Sequence, residues 1–333
     1  MRPYRIGIDI GGTFTDFALV GGAGDGLRLR KQLTTPHDPS EAVLAGLDAL
    51  LAEAGVAIGE VAEIVHGTTL VTNAVIERRG ARTGMLVTRG FSDLLDIGQE
   101  QRYTLYDLRI RFAEPLVDRR ARREVSERIR YTGGVDTALD PGEAAAAARA
   151  LVEEEGVEAL AVCFLHAYKN PAHERAAREA VRAALPDLPV SLSSDVFPYM
   201  REFERWTTTT VNAYAQPLMD RYLRRIEEGL AALGFSGRFA LMSSSGGTVT
   251  PELARRFPVR MLESGPAAGV LMAAHHARRT EEARLLAFDL GGTTAKGALV
   301  RDGAPLKAYG MEVARSYRHW RGSGLPLKLP VID

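Results

Sequence analysis

The sequence predicts an α/β fold made of two duplicated domains, the second of them incomplete. Three observations predict it. Strand-like and helix-like segments alternate through most of the 333 residues. Asp9–Val20 and Asp289–Val300 align with identity at seven of twelve positions: Asp, Gly, Gly, Thr, Ala, Leu and Val. Only 44 residues follow Asp289, whereas the first copy is followed by a far longer stretch.

The elements read in order. Tyr4 to Ile10 is a buried strand ending in Gly11-Gly12-Thr13; Thr15 to Val20 and Leu27 to Leu33 complete an antiparallel meander with Gly-rich turns. Asp38-Pro39-Ser40-Glu41 opens a helix, and Val43, Leu44, Leu47, Leu50 and Leu51 keep helical spacing to Gly55. Strands at Glu63 to His66 and Gly84 to Thr88 flank a helix from Leu70 to Arg79. Residues 91–130 are charge-rich and irregular, with a strand expected at Glu124 to Tyr131. Asp140-Pro141-Gly142-Glu143 opens an Ala-rich helix, with Glu143 placed for a capping box. Ala159 to Phe164 is an apolar strand, Asn170-Pro171 opens a helix, and Val190 to Ser193 is a strand. A helical pattern covers Thr207 to Leu233, where Pro217 is expected to kink or interrupt it. Strands at Phe239 to Met242, Leu285 to Leu290 and Ala295 to Arg301 follow, with a helix at Ala267 to Ala277.

Composition narrows the function classes. Lys+Arg and Asp+Glu are both 42, a balance that argues against a nucleic-acid binder. The apolar share of 46% is that of a chain that buries real cores. A single cysteine, Cys163, rules out an intrachain disulfide framework and any Cys-based metal centre. No apolar run approaches membrane-spanning length and the N-terminus is not a signal peptide, so a soluble cytoplasmic protein is expected.

The duplicated loop carries the chemistry. In Asp9-Ile10-Gly11-Gly12-Thr13 the glycines let consecutive N–H groups turn inward as an anion nest, and Thr13 adds a hydroxyl. Asp9 is placed to hold Mg²⁺ through water, and Asp289 has the same place in the second hairpin. Two such loops facing each other across a cleft would hold a triphosphate from both sides. The bland alternative is a pair of ordinary hairpin turns. Asp16 aligns with Lys296, so the two hairpins are not chemically equivalent. P-loop, G-x-G-x-x-G, G-x-S-x-G and H-E-x-x-H patterns are absent.

Several segments together resemble the ATP-dependent hydantoinase/5-oxoprolinase family, within the actin-like ATPase (ribonuclease H-like) and sugar kinase superfamily. They are Asp9 to Asp16, His66-Gly67-Thr68-Thr69-Leu70-Val71-Thr72-Asn73-Ala74, Glu77 to Gly80, Thr88 to Phe91, Arg201-Glu202-Phe203-Glu204-Arg205, Val211 to Tyr214, Ser264 to Gly269 and Asp289 to Thr294. The family includes the A-type component of N-methylhydantoinase and related components of acetone and acetophenone carboxylases. The resemblance implies an N-terminal hydantoinase A/oxoprolinase-type domain over residues 1–200 and the start of a second over 201–333, with the chain a fragment. It implies that ATP, with Mg²⁺, phosphorylates the carbonyl oxygen of a cyclic amide such as a hydantoin or 5-oxoproline, and that the activated ring is then hydrolysed. Phosphorylation of a ketone enolate before carboxylation is the alternative. A sugar or carboxylate kinase and a non-enzymatic actin-like nucleotide switch are the rivals. A separate B-type subunit is the implied partner, and homo-oligomers are compatible with the sequence.

Site residues follow from the motif match. Asp9, His66 and Asp289 are the expected catalytic residues, with Asp9 and Asp289 also metal ligands. Gly11, Gly12, Thr13, Thr15, Gly291, Gly292, Thr293, Thr294 and Lys296 are the expected nucleotide-binding positions. Thr68, Thr69 and Asn73 are the expected substrate contacts, although Asn73 taken by itself reads slightly better as a satisfied core amide than as a polar contact. Arg201, Glu202, Glu204 and Arg205 read most simply as an exposed ion-pair cluster, and Asp195 as a minor base or ligand candidate. Ser243 to Thr248 reads as a ligand-approach loop or an ordinary turn. Ser264-Gly265-Pro266 stands at a helix start, while the adjacent His275 and His276 are badly spaced for a metal pair.

Overall fold

The computed structural model describes residues 3–21, 26–35, 37–100, 102–290, 295–317 and 319–332. Its first strands are β1 (Tyr4–Ile10), β2 (Phe14–Val20), β3 (Arg28–Leu33), β4 (Val61–Thr68), β5 (Thr83–Thr88), β6 (Arg122–Val125), β7 (Arg128–Ile129), β8 (Val135–Thr137), β9 (Ala159–Cys163) and β10 (Val190–Leu192). The later strands are β11 (Arg238–Met242), β12 (Thr248–Val249), β13 (Arg284–Leu290), β14 (Ala295–Arg301), β15 (Ala304–Pro305), β16 (Lys307–Ala308), β17 (Met311–Val313), β18 (Leu325–Leu327) and β19 (Val331–Ile332). The helices are α1 (Pro39–Ala54), α2 (Leu70–Ile76), α3 (Leu94–Ile97), α4 (Pro141–Glu155), α5 (Ala172–Ala184), α6 (Ser193–Val196), α7 (Glu202–Ala232), α8 (Pro251–Arg256) and α9 (Ser264–Thr280).

Two compact units emerge. One comprises Met1–Asn73, Met219–Ala308 and Pro330–Asp333; the other comprises Ala74–Leu218 and Tyr309–Leu329. In the first unit, a six-stranded sheet runs in the order β12-β11-β4-β1-β2-β3. β1, β2 and β3 pair antiparallel as the meander expected from the Gly-rich turns, while β4 and β11 join in parallel. Alternation along β1 buries Ile6, Ile8 and Ile10 and turns Asp9 the other way. Helix α1 starts where Asp38 accepts the Ser40 N–H at 3.1 Å and stops at Gly55, whose φ of +67° only glycine adopts cheaply. Its Gly46 lies on the Phe17 ring of β2; a Cβ there would sit 2.3 Å from a ring carbon.

The hairpin β13–β14 packs Leu285, Ala287, Ala298 and Val300 against Val270, Ala274 and Ala277 of α9. Its other face leaves Leu286, Phe288, Leu290 and Leu299 exposed.

The second unit is built on a parallel sheet ordered β10-β9-β5-β6. β5 and β9 are buried along their whole length, as the apolar run Ala159 to Phe164 requires of a strand covered on both faces. Three expectations are corrected here. The strand expected at Glu124 to Tyr131 is two short pieces, β6 and β7. Glu143 does not close a capping box: Asp140 caps α4 through the Gly142 N–H, and the Glu143 carboxylate instead accepts from the Ser126 N–H at 3.1 Å and from Arg89. Pro217 does not break its helix. α7 runs 31 residues with Pro217 inside it, so the expected interruption does not occur; Ala213, Tyr214, Ala215 and Met219 around it are buried, and burial of that kind offsets a proline cost of about 3 kcal/mol.

Candidate active site

The site begins at Asp9, at the carboxyl end of β1. In register it stands beside Asp16 on β2 and Gly67 on β4. Gly67 and Gly265 let two backbones close around its carboxylate: a Cβ would lie 2.7 Å from Asp9 Oδ1 at Gly67 and 2.8 Å at Gly265. No hydrogen-bond donor among the described residues reaches that carboxylate, although one side of Asp9 stays open to solvent. The protein packed round it raises the Asp9 pKa. Asp16 and Asp289 add to the rise, and Lys296 and Lys31 oppose it. A carboxylate crowded by two others and given no donor calls for a cation. No three His, Cys, Asp or Glu side chains converge as a closed metal cage among the described residues.

The first loop is held from below. Gly11 N–H donates to Phe14 O at 2.9 Å, and the Thr34 hydroxyl donates to Gly11 O at 2.9 Å. Thr15 is fully buried with its hydroxyl 3.0 Å from that of Thr34, so it braces the loop from inside. Thr69 donates to Ile10 O through its hydroxyl at 3.1 Å, and Asn73 Nδ2 donates to Thr69 Oγ1 at 3.2 Å. Gly12 faces that amide across 3.7 Å from the position of a Cβ. Thr68 is buried; Ser264 accepts its N–H at 3.1 Å and donates to its carbonyl at 3.0 Å, tying the end of β4 to the start of α9.

His66 lies inside the sheet, fully buried. Its Nδ1 is 3.3 Å from Ile8 O and its Nε2 is 2.5 Å from Tyr222 Oη, and its ring stacks on Phe239. Burial lowers its pKa to about 4 and raises that of Tyr222. The imidazole is therefore neutral, with both nitrogens spent on protein partners.

The second hairpin pairs Asp289 with Lys296 in register. Lys296 makes an ion pair with Glu263, the residue before α9. Glu263 holds a left-handed φ of +57° and donates its N–H to Thr72 Oγ1 at 3.3 Å. Strain of that kind, about 1–3 kcal/mol, persists where surroundings enforce it, commonly at functional sites. Sequence reasoning passed over Glu263 and Tyr222. Neither stands in a distinctive local pattern, and both matter through partners far along the chain. Gly291, Gly292, Thr293 and Thr294 lie outside the described residues. A cavity of about 510 Å³ lies beside Asp9, lined by Gly7, Asp16, Lys31, Gly67, Met242 and Ala268 among others.

The Arg201–Arg205 cluster is not an exposed one. Arg201 is exposed, but Glu204 and Arg205 are buried. Arg205 donates to Phe164 O at 2.9 Å, Tyr199 O at 2.7 Å and Ser193 Oγ at 3.1 Å, and Ser193 donates to the buried Glu174 at 2.6 Å. The cluster knits the carboxyl ends of β9 and β10 to α7. Asp195 is paired with Arg178 at 2.8 Å. The Ser243–Gly247 loop closes as a turn, Ser244 being buried with its hydroxyl 2.6 Å from Arg260 O and 2.5 Å from Leu262 O.

Comparison with known proteins decides the family. Residues 5–185 match the hydantoinase/oxoprolinase N-terminal region, and residues 205–333 match the hydantoinase/oxoprolinase domain. The chain belongs to the hydantoinase/oxoprolinase family. Within it, the chain is 37% identical to the caprolactamase alpha subunit of Pseudomonas jessenii over 91% of its own length and 44% of that protein's. It is 33% identical to the acetophenone carboxylase gamma subunit of Aromatoleum aromaticum, over 89% of its own length and 42% of the relative's. Among solved structures it resembles nucleotide-free acetone carboxylase (TM-score 0.85, 30% identity) and the ATP-dependent caprolactamase of Pseudomonas jessenii (TM-score 0.85, 33% identity); each match covers 99% of this chain and 47% of the other. These likenesses fix the fold of this hydantoinase/oxoprolinase family member as α/β of the actin-like ATPase type. The chain spans about half the length of the curated relatives it matches. Among the described residues no helix is long and apolar enough to cross a membrane.

Proposed function

We propose that this chain forms the nucleotide-handling part of an ATP-dependent cyclic-amide hydrolase of the cytoplasm, working with a B-type hydantoinase/oxoprolinase subunit. The observation that carries the reading is the gathering of Asp9, Asp289 and Lys296 from two copies of one hairpin, with Asp9 pressed between Gly67 and Gly265. Asp9 and Asp289 would hold Mg²⁺, which neutralises phosphate charge when bound. Gly11, Gly12 and Thr13, with Gly291, Gly292, Thr293 and Thr294, would cradle the phosphates through backbone N–H groups. Lys296 offers positive charge toward a phosphate, and Glu263 fixes where that charge stands. Thr69 and Asn73 sit beside Gly12 and would meet the reacting end of the nucleotide or the amide. Thr15, Thr68 and His66 fit a positioning role, since their polar atoms are buried on protein partners.

In the proposed reaction the γ-phosphoryl group passes to the carbonyl oxygen of the amide: a C–O–P bond forms and the bond to ADP breaks. One water then attacks the activated carbon and the ring C–N bond opens, the nitrogen leaving as an amine with the protons that water gives up and the carbon left as an acyl phosphate; a second water attacks that carbon, and phosphate leaves with the former carbonyl oxygen. The protein's contribution is positioning and charge. The division at residues 1–200 and 201–333 is kept within this proposal as the sequence-level boundary of the two repeats.

The test is a carbonyl-¹⁸O cyclic amide given to the full-length protein with ATP and the B-type subunit. Label in the released phosphate is expected. Unlabelled phosphate, a stable phosphate ester, or ADP formation that needs no small molecule would each refute the reading. ADP formed only with acetone and bicarbonate would favour the ketone carboxylase alternative, which the acetone and acetophenone carboxylase relatives keep open.

A further inference from the structure

The second unit carries a loop that the proposed chemistry does not use. Residues 102–112 have no regular secondary structure, yet they are tied internally. Tyr103 Oη donates to Arg111 O at 2.5 Å and accepts the Arg111 N–H at 3.3 Å, closing the loop at its base. Arg102 donates to Asp107 O at 2.5 Å, and Asp107 accepts the Arg109 N–H at 2.8 Å. The Tyr103 ring is seated among Phe112, Tyr317 and Trp320, with centroids 5.8, 5.9 and 6.0 Å away. The anchored base points the tip at solvent. Leu105, Tyr106 and Leu108 are 75%, 93% and 90% exposed. Arg102, Arg109 and Arg111 flank them, with Asp107 the only acid in the segment, and none of the three arginines makes an ion pair among the described residues.

We infer that this loop is a docking anchor for a partner protein whose surface offers an apolar recess ringed by carboxylates. Three large apolar side chains held outward cost solvation and contribute nothing to the unit's own core. Tyrosine and arginine are the residue types that dominate protein interfaces, and an ordered loop loses little entropy on binding. Three arginines against one aspartate fit an acidic partner rather than a second copy of the same loop, which would set like charges together. The B-type subunit of the proposed assembly is the partner meant, so the inference rests on that reading.

The experiment measures binding of the purified B-type subunit to the full-length protein by surface plasmon resonance at several salt concentrations. Tyr106→Ala with Leu108→Ala should weaken the affinity about 100-fold or more. Arg109→Glu with Arg111→Glu should slow association about tenfold and flatten its salt dependence. Both variants should keep wild-type circular dichroism and melting temperature, since the altered side chains touch no core. Equal binding by wild type and both variants overturns the loop's role while leaving the partnership intact. Failure of the wild type to bind the subunit overturns the partnership and the inference together. Protection of Leu105–Leu108 amides from hydrogen exchange in the full-length protein alone also overturns it, because the loop would then be covered by its own chain.

Discussion

Acidification should cost the first unit stability through His66. Its pKa is lowered from 6.5 to about 4 because burial disfavours the charged ring. A group whose folded pKa is depressed favours the fold in its unprotonated form. The contribution of His66 is therefore fully present above pH 6.5 and is lost as pH falls from 6.5 toward 4. Two and a half units at ~1.36 kcal/mol each make the full loss about 3 kcal/mol. The geometry agrees in sign: Nδ1 donates to Ile8 O, so Nε2 must accept from the Tyr222 hydroxyl, and a proton on Nε2 would face that hydroxyl across 2.5 Å. Urea denaturation between pH 7.5 and 4.5, run on wild type and His66→Gln, isolates the effect, because glutamine does not titrate. The stability difference between the two proteins should shrink by most of that amount across the interval. Direct ¹⁵N titration of His66 by NMR covers the case in which the variant does not fold. A difference independent of pH, or a ring that titrates near 6.5, would refute the reasoning.

Other outcomes follow from the same contacts. Gly265→Ala, which places a Cβ 2.8 Å from Asp9 Oδ1, should displace that carboxylate and cut ATP turnover by at least tenfold with little change in urea midpoint; an unchanged rate would deny the close approach its purpose. Arg205→Met should destabilise the second unit by about 3–5 kcal/mol in urea titration, since it strands the buried Glu174–Ser193 pair. Glu263→Gln should release Lys296 and lower kcat far more than it raises KM for ATP, with the melting temperature within a few degrees of wild type. The exposed face of Leu286, Phe288, Leu290 and Leu299 should make the 333-residue chain self-associate at micromolar concentration, which light scattering would record as mass above that of a monomer.

The elements that the sequence revealed best are those with strong local signals. Helix α1 has its Asp38 cap, Pro39 and Gly55, and each hairpin has a Gly-Gly pair in the sequence between its two strands. The segment Tyr4 to Ile10 reads simply as a buried strand; the structure refines that to an alternation that buries Ile6, Ile8 and Ile10 and turns Asp9 away from them. What local pattern could not convey was partnership at a distance. Nothing near Arg205 reveals that Phe164, Tyr199 and Ser193 surround its guanidinium, so a charged run read as surface proved to be interior. His66 reads as a reactive residue at a strand end, and only Tyr222, 156 positions away, discloses how its second nitrogen is engaged. Glu143 had the right spacing for its own helix cap, but Ser126 and Arg89 engaged it first.

The central claim is that Asp9 serves the nucleotide and not the fold. Asp9→Asn in the full-length protein, assayed for Mg²⁺-dependent ATP hydrolysis with the cyclic amide present, tests it most directly. Asparagine keeps the shape between Gly67 and Gly265 while removing the charge, and the account predicts turnover reduced about 10³-fold or more with the melting temperature unchanged or raised, because the crowding with Asp16 and Asp289 is relieved. Turnover near that of wild type would contradict it.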